Sequence, residues 1–370
     1  MRLALIYDRT KGGLTKTALL TSIALAERGH SVLVCGPARR LPPLAKRAQD
    51  LGVMFTEGPE GGFLTLPQPI ARKMKEFGPD LIVSSHRGCD VRASHLARKL
   101  RIPHVAWIHG DPNSADGLQN PGIPLLGFRN HLWRQALRRA RRIVCVSSKV
   151  MESTTEFLGG DRDEKVSSVL NAISLADYSW ARPKGLREDG RPIRLLAVGR
   201  VCREKRPHLL VDLVQRARDL GWNVTGQWLG EGELLDEVRD RVARLHMSSF
   251  IDLPGHRWDV VRFYRDADIQ VHFCTDEGCS LALAEAQAAG LPVVAFNSGS
   301  IPEIVQHGVT GLLSPPLDTE QMVARIKALK DNTKLYTAMS AAAIDWARSR
   351  FSHERLGFEF EKTLLGALAE

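Results

Sequence analysis

A chain of 370 residues with 44% hydrophobic and 25% charged residues has the length of two globular domains and excludes a disordered or fibrous class. No stretch approaches 18 consecutive apolar residues, which excludes a membrane-spanning helix. The opening MRLALIYDR enters a strand pattern without a leader-like apolar region, so a cytoplasmic location without signal peptide is expected. The net charge of +9 is uneven: residues 1–180 carry 26 Lys and Arg against 16 Asp and Glu, whereas residues 181–370 carry 25 against 26. The N-terminal half therefore either faces an anionic partner, such as a phosphorylated acceptor, a membrane or a nucleic acid, or presents a solvated basic face.

In chain order, Leu3–Tyr7 is a short apolar run that predicts a buried strand, Thr17–Arg28 a helix stopped by Gly29, and Ser31–Cys35 a strand. Leu81–Ser84, a helix near Ala93–Leu100, Val105–Ile108, a basic helix near Asn130–Arg141 and Ile143–Val146 follow. Strands alternating with helices predict a parallel, doubly wound sheet. The stretch 181–191, ARPKGLREDGR, is rich in Pro, Gly and charge and predicts a linker. A second alternation then begins: Leu195–Val198, Pro207–Leu220, Thr225–Leu229, Leu234–Leu245, Ile269–Phe273, Leu281–Ala289 and Pro292–Phe296. The expected domains are 1–180, 192–350 and a closing amphipathic helix within 351–370. Two such sheets leave a cleft, and open α/β sheets bind ligands beyond the carboxyl ends of their strands. The six cysteines form no CxxC pair and no zinc-spaced cluster, in keeping with reduced, buried thiols.

Residues 277–313, EGCSLALAEAQAAGLPVVAFNSGSIPEIVQHGVTGLL, carry the most chemistry. Ser280 is placed to cap a helix starting near Leu281, and a strand–loop–helix junction offers free N–H groups and a positive dipole end to a pyrophosphate. Glu277 in the loop and Glu285 one turn into the helix are positioned to accept hydrogen bonds from sugar hydroxyls. By spacing alone, an ordinary βαβ unit with two surface glutamates explains the pattern better. The ordered string Glu277, Glu285, Gly290, Pro292, Gly299, Pro302, Glu303, however, resembles the donor signature of glycosyltransferase family 4 (glycosyl transferases group 1), whose retaining members have the GT-B fold. Ala197-Val198-Gly199-Arg200 with Lys205 resembles that family's second landmark.

The resemblance implies two Rossmann-like domains facing across a cleft, with the N-terminal one binding acceptor and the C-terminal one binding a nucleotide-diphosphate sugar. It implies that Glu285 binds the ribose, Glu277 the transferred sugar, and that Gly199, Gly278 and the N–H groups of Cys279, Ser280 and Leu281 meet sugar and phosphate. Arg200 and Lys205 would neutralise the diphosphate as its leaving charge grows. His109, after the strand Val105–Ile108, would contact the sugar, and the last helix would cross back to the N-terminal domain. The implied reaction is retaining transfer from a UDP- or GDP-sugar to a saccharide, lipid-linked or small-molecule hydroxyl, with no cofactor beyond the donor and no metal.

Other readings stay open. A same-fold nucleotide-sugar epimerase and a non-enzymatic nucleotide-sugar-binding protein share the donor signature. Lys11-Gly-Gly-Leu-Thr-Lys-Thr17 resembles a deviant ATPase phosphate loop, but Thr15 stands where a glycine must wrap the phosphate. In the transferase reading, Gly12 and Gly13 form a loop toward donor phosphate or acceptor. Asp161/Asp163 and Asp266/Asp268 have the Asp-x-Asp pattern of a metal site but lie away from the donor signature. Val146-Ser147-Ser148 and Leu170-Asn171-Ala172 read as structural. The helix around Asn130–Arg141 either rests on an anionic membrane or buries its apolar stripe; without interleaved aromatics it is not a nucleic-acid platform. Acceptor choice is expected in the loops Gly58–Leu66 and Pro112–Phe128.

Overall fold

The structure, a computed structural model, describes residues 1–8, 13–36, 42–56, 68–113, 126–160, 164–186 and 190–369. It resolves two compact units, Met1–Ile173 with Phe351–Glu370, and Ser174–Arg350.

The first unit is a seven-stranded sheet built from β1 (Arg2–Tyr7), β2 (Ser31–Cys35), β3 (Met54–Thr56), β4 (Leu81–Ser85), β5 (His104–Ile108), β6 (Arg142–Cys145) and β7 (Val166–Ser168), in the order β3-β2-β1-β4-β5-β6-β7. Every pairing is parallel. β4 and β5 are buried along their whole length. That is why they read as unbroken apolar runs rather than alternations. The first helix, Gly13–Glu27, is buried almost continuously from Thr15 to Leu25. The last helix, His353–Ala369, packs against it: a Cβ at Gly357 would lie 2.8 Å from the Ala24 Cβ, so glycine sets the close approach. Phe360 of this helix packs at a tilt against Trp107 of β5, centroids 4.8 Å apart, Glu361 pairs with Arg28 and His30, and Arg355 donates to the Leu170 carbonyl at 2.6 Å.

The second unit repeats the plan with β8 (Ile193–Val198), β9 (Val224–Leu229), β10 (Ile251–Gly255), β11 (Ile269–His272), β12 (Val293–Phe296) and β13 (Gly311–Ser314), ordered β10-β9-β8-β11-β12-β13, again all parallel. Trp228, Phe273 and Phe296 form an aromatic row in its core, with centroids 6.2 Å apart at each step. Residues ahead of position 187 already belong to this unit: the Lys184 N–H donates to Ser340 at 2.8 Å and its ammonium to the Tyr264 and Arg265 carbonyls. Residues 187–189 of the linker stretch lie outside the described residues.

In each sheet the strand order reverses beside the first strand of the unit, between β1 and β4 and between β8 and β11. The crevice beyond the carboxyl ends of such a strand pair is where open α/β sheets bind ligands.

Candidate functional site

In the second unit, the chain leaving β8 is bent by Gly199, at φ +151°. Its N–H donates to the Leu229 carbonyl at 3.0 Å, and its own carbonyl accepts from the Trp228 indole at 3.0 Å. A Cβ at Gly230 would fall on that carbonyl oxygen, so the β8 and β9 ends close on each other only through glycine. A short 3-10 turn, Arg203–Lys205, follows. Arg206 closes it in the left-handed region at φ +48°, with its guanidinium reaching the Phe273 carbonyl at 3.3 Å. The loop after β8 is thus tied to the end of β11.

The loop after β11 is fixed from the far side. Ser298 donates its hydroxyl to the Thr275 carbonyl at 2.6 Å, and the Ser300 N–H donates to the Glu277 carbonyl at 3.0 Å. Gly299, at φ +57°, leaves no room for a side chain: a Cβ would stand 2.9 Å from the Glu277 nitrogen and 3.0 Å from its carbonyl oxygen. Ser300 is wholly buried and holds Glu277 through its backbone.

These two loops bring Lys205 and Glu277 into a direct ion pair, with side chains 18% and 12% exposed. His272, the last residue of β11, places Nε2 2.9 Å from the same carboxylate oxygen. Burial alone would raise the Glu277 pKa, but the Lys205 ammonium and the His272 hydrogen bond outweigh it and hold the carboxylate well below its usual range. Burial would likewise depress Lys205, but Glu277 and Cys274 hold it charged, above its ordinary value. Burial pushes His272 down toward its neutral form and the Cys274 thiol up. Arg200 is exposed and has no hydrogen-bond or ion-pair partner among the described residues.

The helix Leu281–Ala288 starts four residues after Glu277. Ser280 occupies its N-cap position, yet its hydroxyl makes no capping bond, contrary to the sequence expectation. The first-turn N–H groups therefore have no side-chain cap. This helix is buried from Leu283 to Ala288. It carries Glu285 inward, where the Tyr264 hydroxyl donates to it at 3.3 Å. Gly278 and Cys279 are half-buried between Glu277 and the helix start.

The model of the family described as Glycosyltransferase Family 4 matches residues 11–177, and that described as Glycosyl transferases group 1 matches residues 179–346. The chain belongs to glycosyltransferase family 4. It is 29% identical over 226 residues to D-inositol 3-phosphate glycosyltransferase of Thermobifida fusca, covering 57% of this chain and 50% of that protein. It is 24% identical over 359 residues to N-acetyl-alpha-D-glucosaminyl L-malate synthase of Bacillus anthracis, covering 91% and 89%. The crystal structure of Anabaena HepE in complex with UDP and glucose superposes with a TM-score of 0.80 over 99% of both chains, at 19% identity. That likeness shows the GT-B fold.

The remaining candidates of this glycosyltransferase are scattered. His109 follows β5 in the first unit, half-buried, its ring 4.5 Å from Trp107. Gly13 opens the first helix and is exposed, while Gly12 and Lys11 lie outside the described residues. Thr15 is buried within that helix, not in a phosphate-wrapping loop. Asp268 is structural: it accepts from the Arg194 N–H at 2.8 Å. Asp161, Asp163, Gly58–Leu66 and most of Pro112–Phe128 lie outside the described residues. Ser147 caps the helix Ser148–Leu158 by accepting from the Val150 N–H at 3.2 Å. In the basic helix, now Leu126–Arg139, Trp133, Ala136 and Leu137 are buried, so its apolar stripe is spent on the core. No helix among the described residues is long and apolar enough to cross a membrane.

Sequence reasoning missed His272 and Cys274, whose donor atoms lie within 4.8 Å of one another and of Glu277. A His five residues before a Glu has no periodic meaning on a strand that ends between them. Only the turn makes them neighbours.

Proposed function

We propose that this glycosyltransferase moves a sugar from a UDP- or GDP-sugar to a hydroxyl of a saccharide, lipid-linked or small-molecule acceptor, with retention of configuration. The observation that carries the reading is the Lys205–Glu277 pair at the β8/β11 reversal, beside exposed Arg200 and an uncapped helix start. A diphosphate entering there competes with Glu277 for the Lys205 ammonium. Released from it, Glu277 accepts hydrogen bonds from hydroxyls of the sugar, oriented by His272. As the glycosidic bond breaks, negative charge grows on the leaving phosphate. Arg200, Lys205 and the first-turn N–H groups near Cys279, Ser280 and Leu281 meet that charge more strongly than they meet the ground state. Glu285 suits the ribose, since it lies one turn farther into the helix. Glu277, engaged by two groups and held strongly acidic, suits hydroxyl recognition better than covalent attack, which favours front-face transfer with the leaving phosphate as base.

No cofactor beyond the donor is needed, and no metal. Although His272, Cys274 and Glu277 are close enough to ligate an ion, the cation already paired in that cluster is Lys205. HepE, with its bound UDP and glucose, supports a uridine donor. The first unit takes the acceptor, with Gly12 and Gly13 in a loop toward donor phosphate or acceptor and His109 toward the transferred sugar. Exposed Arg138, Arg139 and Arg141 suit electrostatic contact of that unit with an anionic membrane surface.

A thermal-shift screen against UDP, GDP, ADP and their sugars tests donor binding, and failure of all of them to stabilise the protein refutes the reading. Proton NMR of the first-formed product reads the anomeric configuration, and an inverted product refutes retention. Nucleotide release that depends on added acceptor separates transfer from epimerisation, and undiminished turnover in EDTA tests metal independence.

A further inference from the structure

At the carboxyl ends of β1 and β4, the reversal point of the first sheet, stands a polar cluster that the donor chemistry does not use. Asp8 directly follows β1, and His86 directly follows β4. The Asp8 carboxylate lies 3.1 Å from the His86 Nδ1 through one oxygen and 3.2 Å from an Arg92 nitrogen through the other. Arg92 is 3% exposed and also donates to the Gly88 carbonyl at 3.0 Å, so it is an anchor rather than a ligand group. Asp8 and His86 remain reachable, at 19% and 35%. Burial alone would raise the Asp8 pKa, but His86 and Arg92 outweigh it and keep Asp8 ionised.

Two features mark the place as built for a ligand. His86 sits at φ +88°, a left-handed conformation that is unfavourable for a residue with a β-carbon and persists only where the surroundings enforce it. It is the N-cap of the helix Arg87–Leu100, yet its side chain makes no capping bond and faces Asp8 instead. At the strand positions just before the pair, the Tyr7 and Ser85 hydroxyls are fully buried without a hydrogen-bond partner among the described residues. Such orphaned groups are costly unless a ligand or water satisfies them.

We propose that Asp8 and His86 are the acceptor-recognition pair, reading a vicinal diol on a sugar or polyol ring. The inference rests on the transferase reading and names the acceptor's chemistry. A carboxylate that only accepts and an imidazole about 3 Å away, which in its neutral form offers one donor and one acceptor nitrogen, match two adjacent hydroxyls, each of which donates and accepts. Arg92 keeps the carboxylate ionised, and the facing Asp8 Oδ1 and His86 Nδ1 atoms are themselves left without a hydrogen bond among the described residues, which a ligand can satisfy.

The test titrates the intact protein, saturated with whichever of UDP or GDP stabilises it, with methyl α-D-glucopyranoside, methyl α-D-mannopyranoside and myo-inositol. Binding is followed by saturation-transfer NMR, with 1,3-propanediol as the control lacking a vicinal pair. At least one polyol is expected to bind wild type and not the control, and its affinity to fall tenfold or more in His86→Gln and His86→Gly. His86→Gly relieves the left-handed backbone, so its melting temperature is expected to match or exceed wild type, which separates ligand loss from misfolding. Asp8→Asn is expected to lose the same binding. The nucleotide-induced thermal shift is expected to be unchanged in all three. Absence of polyol binding to wild type, or equal binding to the His86 variants, overturns the proposal. Absence of any nucleotide shift in wild type refutes the transferase reading instead.

Discussion

The two units share one plan and differ in what stands at its reversal point. At β8/β11 the loops are locked by glycines and carbonyl bonds, and they present a charged pair in which each partner stabilises the other's ionised form. At β1/β4 the anchor is a buried arginine, and the exposed group is a histidine in a strained conformation. The sheet supplies the same crevice twice. The residues one to seven positions past each strand set what each crevice can bind.

The sharpest way to break that contrast is to remove Lys205. Lys205→Ala is expected to cut donor turnover at least a hundredfold, the scale of losing one fixed charge-stabilising group. It also strands Glu277, so a stability loss of about 3 kcal/mol is expected. The double variant Lys205→Ala/Glu277→Gln is expected to regain most of that stability without regaining turnover. Unchanged turnover in folded Lys205→Ala protein sinks the role assigned to it. Glu285→Ala is expected to abolish donor turnover too.

Gly299→Ala probes how the lock works. A Cβ there meets the Glu277 backbone in a left-handed conformation, so Glu277 must shift. A tenfold or larger fall in kcat with a small change in melting temperature is expected. Equal kinetics would mean that the loop around residue 299 does not position Glu277.

Most of the fold is legible in the sequence because interior strands of a parallel sheet are continuous apolar runs: β1, β2, β4, β5, β6, β8, β9, β11 and β12 fall within a residue or two of their expected limits. The strands that escape are short ones near the sheet margins. β3, with one exposed and two half-buried residues, β7, with three half-buried ones, and β10, which includes Pro254, have no apolar run to read, and β13, though buried, offers only Leu312 and Leu313 between Gly311 and Ser314. Helix starts err for a related reason: the helix expected near Ala93 begins at Arg87, since its first turn carries Arg87, Gly88, Cys89 and Asp90 rather than an apolar stripe. In the site, the glutamates and Lys205 are legible because their order along the chain resembles a family signature. His272 and His86 are not: the turn after β11 brings His272 to Glu277, and the parallel pairing of β1 with β4 brings His86 to Asp8.

Arg200 offers a gentler comparison with Lys205. It is exposed and, among the described residues, unpaired, so Arg200→Ala is expected to leave stability within about 0.5 kcal/mol. Nucleotide-diphosphate affinity, measured by titration calorimetry, is expected to fall about tenfold, as for loss of one charge-assisted contact. Unaltered affinity would leave Lys205 and the helix start to hold the diphosphate alone.

The two units also differ in how stability depends on pH. In the first unit Ser84 bridges two buried groups, donating to Asp90 at 2.6 Å and lying 2.7 Å from the His104 Nε2, while the Trp133 indole donates to Asp90 at 2.7 Å. Burial pushes Asp90 up to about 7 and His104 down to about 3. Between pH 4 and 6.5 the unfolded chain therefore carries an extra proton on His104 and lacks one on Asp90. The two contributions to the pH dependence of stability have opposite signs and nearly cancel. Asp90→Asn removes one arm. What remains is a histidine buried neutral, so stability is expected to rise with pH across that window, with a limiting slope of about 1.4 kcal/mol per pH unit. His104→Gln leaves the other arm, and stability is expected to fall as pH rises toward 7. The second unit holds no such balance at its ion pair: the depressed Glu277 contributes stability above its unfolded pKa and loses it only as strong acid protonates the folded carboxylate. Urea denaturation of both variants at pH 4.5 and 6.5 measures the slopes, and parallel pH profiles for wild type and both variants would show that Asp90 and His104 do not offset each other.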